Sequence, residues 1–245
     1  MGRDLCAVLL AAGEGTRLRP LTTVLPKALC PVGNVALVDR ARAACATLGL
    51  AGAKTVAVNA WAHADAMVAH FKPDDAYVSV ESGPHPLGSA GGLAALRQWI
   101  DGRDVVVGNA DAYLTGGSVI GLTEGWTGDR VRMLATRADR PALGDFGRHR
   151  FAGFTVIPWR WIASLDPDEP DLVRSVWRPA EAAGELQIVE FEGRYLDCGT
   201  PADYLAANLD VAARHGGSLV AAEAQVSGIV EASVIGAGAR VAGSV

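Results

Sequence analysis

Short apolar runs alternate along the chain with segments whose apolar positions recur at helical spacing. Runs rich in valine, leucine and isoleucine predict strands at 5–11, 55–58, 77–80, 105–107, 131–136 and 154–157. Helical spacing predicts helices at 37–48, 62–71 and 89–100, and the first should be capped by Asn34 and end at Gly49. Strands separated by helices predict an α/β fold with a Rossmann-like mixed, mainly parallel sheet and helices on both faces.

The last part of the chain has a different period. Ile229, Ile235 and Val241 recur every six residues, with small residues between them. This spacing predicts a short C-terminal hexapeptide-repeat stub of the left-handed β-helix type, and a loose tail of small residues is the alternative. Stacking of such stubs between subunits would cover their open edges, so a homo-oligomer is expected.

Length and composition are those of a globular chain with a substantial core. The 245 residues, 50% hydrophobic and 20% charged, suit one large domain with a small appendage. The net charge of −5 gives no basic field, so no nucleic acid partner is expected. No apolar run approaches the roughly 18 residues of a membrane span, and Met1-Gly2-Arg3-Asp4 leads into a strand rather than a signal peptide, so no membrane partner is expected.

The spacing of the cysteines indicates the redox environment of the protein. Cys6, Cys30, Cys45 and Cys198 show no CxxC spacing. We therefore expect reduced, mostly buried thiols in a cytoplasmic protein.

The segment after the first strand carries the clearest chemistry. A turn containing Gly13 and Gly15 is followed by two cations, Arg17 and Lys27. Glycines let backbone N–H groups approach phosphate oxygens, and the two cations suit phosphate charge. Two familiar phosphate loops do not match, because a dinucleotide fingerprint would need glycine at Leu18 and the Gly-Lys-Ser/Thr of a Walker loop is absent.

Several motifs in order along the chain resemble those of the sugar-1-phosphate nucleotidyltransferases. Residues 10–27 are similar to the family pattern L-A-A-G-x-G-T-R-L-x-P-L-T followed by P-K. The resemblance continues through Glu81 with residues 86–93, Asn109-Ala110-Asp111, the turn at 144–147, residues 151–154 and residues 197–201. It implies a nucleotidyltransferase catalytic domain at 1–220, and the six-residue period predicts a partial hexapeptide-repeat tail at 221–245.

The resemblance also implies a reaction and a set of site residues. The substrates would be a nucleoside triphosphate and a sugar 1-phosphate, and the products an NDP-sugar and pyrophosphate. Arg17 and Lys27 would be catalytic, and Asp111 and Asp197 would hold Mg²⁺, a hard ion that prefers oxygen ligands. The nucleotide would contact Leu10, Ala12, Gly13, Glu14, Gly15, Thr16, Arg17, Lys27, Glu81, Gly88 and Ser89. The sugar phosphate would contact Asn109, Asp145, Gly147 and Gly153.

Two interpretations are open for the base of the nucleotide, and two for the residue that binds the sugar phosphate. GTP is favoured because a carboxylate at Glu81 could accept both N–H groups on one edge of guanine, and UTP or dTTP is the alternative. The family's Glu-Lys-Pro segment, whose lysine contacts the sugar phosphate, is missing between Gly147 and Gly153. Arg148 or Arg150 is the candidate substitute, and a solvated basic turn is the other interpretation.

One alternative is not an enzyme. A non-catalytic regulatory subunit could keep the nucleotide site as a sensor. Such a subunit should lose a phosphate cation or a metal carboxylate. This chain keeps Arg17, Lys27, Asp111 and Asp197, which favours an active enzyme.

Overall fold

The computed structural model describes residues 4–138 and 144–245. Met1, Gly2 and Arg3, which precede the first predicted strand, lie outside the described residues. The described strands are β1 (Leu5–Leu10), β2 (Pro31–Val32), β3 (Val35–Ala36), β4 (Val56–Ala60), β5 (Tyr77–Val80), β6 (Asp104–Asn109), β7 (Ala112–Thr115), β8 (Val131–Arg137), β9 (His149–Ile157), β10 (Leu186–Glu190), β11 (Arg194–Asp197), β12 (Leu219–Val220), β13 (Gln225–Ser227), β14 (Val234–Ile235) and β15 (Arg240–Ala242).

The helices lie mostly between these strands. They are α1 (Leu37–Thr47), α2 (Ala64–His70), α3 (Gly88–Ala95), α4 (Arg97–Ile100), α5 (Trp159–Ala163), α6 (Arg178–Ala182) and α7 (Pro201–Arg214). Short 3₁₀ turns occupy Thr16–Leu18, Leu21–Thr23, Lys27–Leu29 and Ile120–Leu122, and a π-helical turn spans Val173–Trp177. Among the helices of the described residues, none combines the length and the apolar character that crossing a membrane requires.

A central sheet organises the described residues in the order β10-β8-β9-β6-β1-β4-β5. Strand β1 runs parallel to both of its neighbours, β4 and β6, whereas β9 runs antiparallel to β6 and β8. The predicted mixed, mainly parallel sheet is thereby confirmed. The carboxyl ends of β1, β4, β5 and β6 share one edge of the sheet, where ligands bind in folds of this type.

The alternation of side chains along β1 shows that both faces of the sheet are covered. Ala7 and Leu9 belong to one apolar cluster, which also includes Val38 of α1. Cys6 and Val8 belong to the other, which also includes Leu93 of α3. Because successive strand residues point to opposite faces, the two clusters lie on opposite sides of the sheet, and the predicted helices on both faces are confirmed.

A two-stranded ribbon beside the main sheet positions two of the predicted site residues. Strands β7 and β11 pair antiparallel, with Asp197 opposite Ala112. Asp111 directly precedes Ala112, so the ribbon brings Asp111 and Asp197 together although they are far apart in sequence. Helix α7 then begins at Pro201, and the Thr200 side chain before it accepts a hydrogen bond from the Asp203 N–H.

The predicted cap of α1 is wrong. The residue before α1 is Ala36, and no side chain caps the helix. Asn34 instead lies in the two-residue turn between β2 and β3, where Gly33 and Asn34 have φ angles of 59° and 62°. Positive φ at both central positions is what a tight hairpin turn requires, so turn geometry outcompetes helix capping at Asn34.

The C-terminal tail forms two short parallel strand pairs. Leu219 pairs with Val234 and Gln225 with Arg240, in each case 15 positions further along the chain. This offset is not a multiple of the six-residue period, and the structure does not establish the hexapeptide-repeat stub. The tail is tied to the main domain by the Asn34 side-chain amide, which donates to the carbonyl of Ile235 at 3.0 Å.

The four cysteines are free and buried, as predicted. Burial raises the pKa of the thiols of Cys6, Cys45 and Cys198 to about 12. They are therefore protonated near neutral pH, and thiolate chemistry is not expected from them.

Candidate active site

The loop that follows β1, residues 11–20, is shaped by one glycine. Gly15 has a φ angle of 65°, and a Cβ at this position would lie 2.8 Å from Cγ2 of Thr22. The Thr22 hydroxyl in turn donates to the Gly15 carbonyl at 2.8 Å. Only glycine fits this left-handed, closely packed position, which explains why the motif requires it.

Lys27 lies between the two predicted metal ligands. Its ammonium Nζ is 2.7 Å from Oδ2 of Asp111 and 3.1 Å from Oδ1 of Asp197. The Lys27 side chain is only 8% exposed, whereas those of Asp111 and Asp197 are 31% and 51% exposed. Arg17, which is exposed, approaches the same Asp197 carboxylate at 3.9 Å. The predicted cations and carboxylates thus form one cluster.

The charge state of Lys27 follows from this cluster. Burial alone would lower the pKa of Lys27, but the charges of Asp111 and Asp197 and the hydrogen bonds to them raise it above 10.5. Because the folded state raises the pKa of this cation, the Lys27 cluster stabilises the folded protein as long as Lys27 is protonated. Its contribution to stability is complete below pH 10.5 and is lost as the pH rises through the higher folded-state pKa. Lys27 is therefore a cation throughout the physiological range.

Asp111 and Asp197 can supply two of the oxygen ligands of a hard divalent cation. Both carboxylates are partly exposed and lie within reach of the same Lys27 ammonium, so both can face one ion. In residues 4–138 and 144–245, no group of three or more His, Cys, Asp or Glu side chains is placed to hold a metal. Two carboxylates with remaining positions for phosphate and water oxygens are typical of magnesium sites that act on nucleotides.

A first cavity of about 230 Å³ opens beside this cluster. It lies at the carboxyl ends of β1, β4 and β6, as expected for a ligand site in this fold. Its lining includes five predicted nucleotide contacts, one predicted sugar-phosphate contact and one predicted metal ligand. These are, respectively, Leu10, Ala12, Gly13, Gly88 and Ser89; Asn109; and Asp111. Asn59 and Pro86 complete the lining, while Glu14, Gly15, Thr16 and Arg17 lie in the loop outside it.

A second cavity of about 440 Å³ has Asp197 in its lining. Its lining includes Asp145 and Arg150, together with Tyr195 of β11. Burial, followed by the charges of Asp197 and Asp111, raises the pKa of Tyr195, so its phenol stays protonated.

The glycines predicted near the sugar phosphate shape this part of the fold. Gly153, with a φ angle of 82°, lies where the register between β8 and β9 shifts. A Cβ on Gly153 would lie 3.2 Å from Cε2 of Tyr195. Gly147 has a φ angle of 61° in the turn beside Asp145. Their backbone conformations therefore favour glycine independently of any contact with a ligand.

The loop containing Gly88 and Ser89 is also held by the protein itself. Gly88 has a φ angle of 77°, and a Cβ there would lie 2.1 Å from the Pro170 carbonyl oxygen. The Ser89 hydroxyl accepts a hydrogen bond from the Leu172 N–H at 3.0 Å. Both residues line the first cavity while packing against the segment that precedes the π-helical turn.

The predicted contact between Glu81 and guanine requires a carboxylate that is free to accept hydrogen bonds from the base, and the Glu81 side chain is placed differently. It is 8% exposed, and its Oε1 accepts from the Asn59 amide at 2.7 Å. Its Oε2 accepts from the Leu87 N–H at 2.8 Å. Both carboxylate oxygens of Glu81 are thus engaged inside the protein.

Asn59 is the site residue that the sequence analysis missed. It lies in β4, opposite Leu10 of β1, and its Oδ1 accepts from the Ala11 N–H at 2.7 Å. The signal was present in the sequence, because Asn59 is a polar residue at the end of the apolar run that forms β4. A buried amide at the carboxyl end of a parallel strand is a candidate site residue in such sheets.

Comparison with known proteins shows what this chain is similar to. Residues 6–117 match the family model described as nucleotidyl transferase. An N-acetylmuramate alpha-1-phosphate uridylyltransferase of Caulobacter vibrioides is 28% identical over 237 residues, covering 84% of this chain and 96% of that protein. A mannose-1-phosphate guanyltransferase of Aspergillus fumigatus is 28% identical over 235 residues, covering 81% of this chain but only 62% of that protein. The resemblance to sugar-1-phosphate nucleotidyltransferases that the motifs indicated is confirmed by these matches.

The fold is shared with a solved structure as well. A crystal structure of a putative glucose-1-phosphate thymidylyltransferase from Bacillus anthracis superposes with a TM-score of 0.73. The match covers 85% of this chain and 95% of that one, at 17% identity. Similarity at that level of identity establishes the shared fold.

Proposed function

We propose that this chain transfers a nucleotidyl group from a nucleoside triphosphate to a sugar 1-phosphate, with Arg17, Lys27, Asp111 and Asp197 as its reactive cluster. An oxygen of the sugar phosphate attacks the α-phosphorus, and the bond from that phosphorus to the bridging oxygen breaks. The products are an NDP-sugar and pyrophosphate. The observation that carries the proposal is the Lys27 ammonium between two carboxylates, of which Asp111 lines one cavity and Asp197 lines another.

The cluster suits this reaction because its task is to neutralise charge. The nucleophile is already a phosphate oxygen, so no side chain has to activate it. Lys27 offers a fixed positive charge to the α-phosphate, and exposed Arg17 can approach the leaving pyrophosphate. Asp111 and Asp197 would hold Mg²⁺, which would neutralise phosphate charge when bound.

The two cavities support separate places for the substrates. The first, with Gly13 and Gly88 in its lining, is proposed for the nucleotide. The second, with Asp145 and Arg150, is proposed for the sugar phosphate. Asp111 lines the first and Asp197 the second, so the carboxylates lie where the two phosphates would meet. Asn109 belongs with the first cavity and could contact both substrates.

For the donor base, GTP and UTP are the two candidates. The prediction of GTP depends on Glu81 accepting from guanine, and both Glu81 oxygens already accept hydrogen bonds from the protein. UTP is favoured by the relative whose length the chain nearly spans, a uridylyltransferase. We therefore propose UTP as the first donor to test, with GTP and then dTTP beside it.

The donor is tested by the specificity constants of the wild-type protein. We expect kcat/KM for UTP to exceed that for GTP by about 10-fold or more, since one base-specific contact contributes about that factor. Pyrophosphate release is measured with UTP, GTP, dTTP, ATP and CTP, each with a panel of sugar 1-phosphates. A preference for GTP would restore the prediction from Glu81. Absence of turnover in every combination would favour the nucleotide-sensing subunit.

Arg150 is proposed to hold the phosphate of the sugar substrate. It lines the second cavity with Asp145 and Asp197, and within the described residues its guanidinium has no ion pair or hydrogen bond. Arg148 is exposed, as Arg150 is, but it is not part of that lining. An uncommitted guanidinium in a cavity is suited to a phosphate, which it can grip with two parallel hydrogen bonds.

Replacement of Arg150 by alanine should therefore raise KM for the sugar 1-phosphate by about 10-fold or more, the factor expected for one charge-assisted hydrogen bond. KM for the nucleotide should change little. Arg148→Ala is the matched control, because it removes the same charge two residues away. Equal effects of the two substitutions would indicate general electrostatics rather than a contact with Arg150.

A further inference from the structure

Asn59 links three parts of the first cavity through one buried chain of hydrogen bonds. Its Oδ1 accepts from the Ala11 N–H at 2.7 Å, and its Nδ2 donates to Oε1 of Glu81 at 2.7 Å. Oε2 of Glu81 then accepts from the Leu87 N–H at 2.8 Å. The chain runs from the loop after β1, across β4, to the residue that precedes α3.

The direction of each bond in this chain is fixed by its ends. The N–H groups of Ala11 and Leu87 can only donate. The amide of Asn59 must therefore present its oxygen to Ala11 and its nitrogen to Glu81, and Glu81 must accept at both oxygens. Asn59 and Glu81 are 2% and 8% exposed, so water does not readily replace a lost partner.

Gly92 of α3 makes room for this pair. A Cβ on Gly92 would lie 2.7 Å from Nδ2 of Asn59 and 3.2 Å from Oε1 of Glu81. Helix α3 thus packs directly on the Asn59–Glu81 pair, and displacement of the pair would move the wall that Gly88 and Ser89 contribute to the first cavity.

We propose that Asn59 and Glu81 are positioning residues that set the separation between the loop after β1 and the start of α3, and so the width of the nucleotide cavity. The inference rests on the proposed function in that the first cavity takes the nucleotide. It assigns Glu81 a role through Leu87 and α3 rather than a contact with the base.

Single substitutions should each break the pattern of donors and acceptors. With Glu81→Gln, two side-chain amides lie between the N–H groups of Ala11 and Leu87. Whichever way each amide is turned, two N–H donors face each other at one point in the chain of hydrogen bonds. With Asn59→Asp, a carboxylate faces the Glu81 carboxylate. Each variant should raise the dissociation constant and KM of the nucleotide by about 10-fold or more, because a buried donor or charge loses its partner.

The double variant Asn59→Asp with Glu81→Gln restores the pattern. The new carboxylate at position 59 can accept from both the Ala11 N–H and the new side-chain amide at position 81. The oxygen of that amide can in turn accept from the Leu87 N–H, and the net charge of the pair is unchanged. We expect the double variant to recover nucleotide affinity to within about threefold of wild type, a difference well under 1.4 kcal/mol.

The measurements separate positioning from base contact and from general stability. Nucleotide dissociation constants are measured by titration of the protein, with KM, kcat and Tm alongside. If Glu81 contacts the base, the double variant will bind as weakly as Glu81→Gln, and this result would overturn the proposal. A merely structural role would lower Tm and the active fraction while leaving the nucleotide dissociation constant unchanged, which would also overturn it.

Asn208→Ala is the matched control. Asn208 bridges the Gly33 N–H and the Tyr204 carbonyl at 3.0 and 3.1 Å, in another part of the protein. Its loss should lower Tm without changing nucleotide affinity. Because affinity is read by direct titration, a protein that binds nucleotide without turnover would contradict the proposed function while still testing the Asn59–Glu81 pair. Absence of nucleotide binding by the wild type would overturn both.

Discussion

Asp111→Asn and Asp197→Asn should each lower kcat by about 10³-fold or more while the protein stays folded. Each substitution removes one of two carboxylates that face the same position, and metal charge stabilisation contributes several kcal/mol to reactions of this kind. The volume of the side chain barely changes. Lys27 keeps one carboxylate partner in either variant, so its buried ammonium is not left uncompensated.

The measurement is pyrophosphate release over a series of Mg²⁺ concentrations, with Tm recorded for each protein. Asp129→Asn is the matched control, since Asp129 is exposed and remote from the cluster. Its activity should equal that of wild type. Near wild-type kcat at saturating Mg²⁺ in both Asp111→Asn and Asp197→Asn would show that these carboxylates do not hold the catalytic ion.

The sequence predicted the main sheet well because its strands are buried on both faces. Residues such as Ala7, Val8 and Leu9 form uninterrupted apolar runs, and such runs are a strong signal. The ribbon of β7 and β11 has no such signal, because its strands are short and carry exposed or half-buried residues such as Thr115 and Arg194. The proximity of Asp111 and Asp197 therefore came from the resemblance, and the pairing of this ribbon is its structural cause.

The residues that local patterns misjudged are polar residues whose partners are distant in sequence. Asn34 is a good helix cap by residue type, but the two-residue turn between β2 and β3 requires its left-handed conformation. Asn59 lies one residue beyond the predicted end of its strand, and its partners Ala11 and Glu81 come from other segments. Hydrogen bonds across a sheet depend on strand order, which periodicity along the chain does not report.

The base preference predicted from Glu81 also depends on hydrogen bonds that the sequence does not report. Its carboxylate chemistry suits guanine, and residue type alone supports that interpretation. The structure adds that Asn59 and Leu87 already donate to it. Specificity predicted from one side chain depends on which of its atoms remain free, and packing decides that.

Lys27→Ala should lower kcat by about 10²-fold or more, the loss typical of removing one charge-stabilising group from a transition state. The fold should persist, because the two carboxylates left behind are partly exposed and can be hydrated. Their affinity for Mg²⁺ should not fall, since a competing cation has been removed. This combination of lost kcat with retained Mg²⁺ dependence distinguishes Lys27 from the carboxylates in the same assay.

Lys27→Arg should be impaired as well, although it keeps the charge. The ammonium lies 2.7 Å from Asp111 and 3.1 Å from Asp197 on a side chain that is 8% exposed, so the space is fitted to a compact cation. A guanidinium is planar and longer, and its charge is spread over a fork, so it would displace one carboxylate or protrude towards the α-phosphate. The matched control is Lys72→Arg, at an exposed lysine outside the cluster, which should leave kcat unchanged. Unimpaired turnover by Lys27→Arg would show that any positive charge near the carboxylates suffices, whereas a loss comparable to that of Lys27→Ala would show that the reaction needs the ammonium at this position.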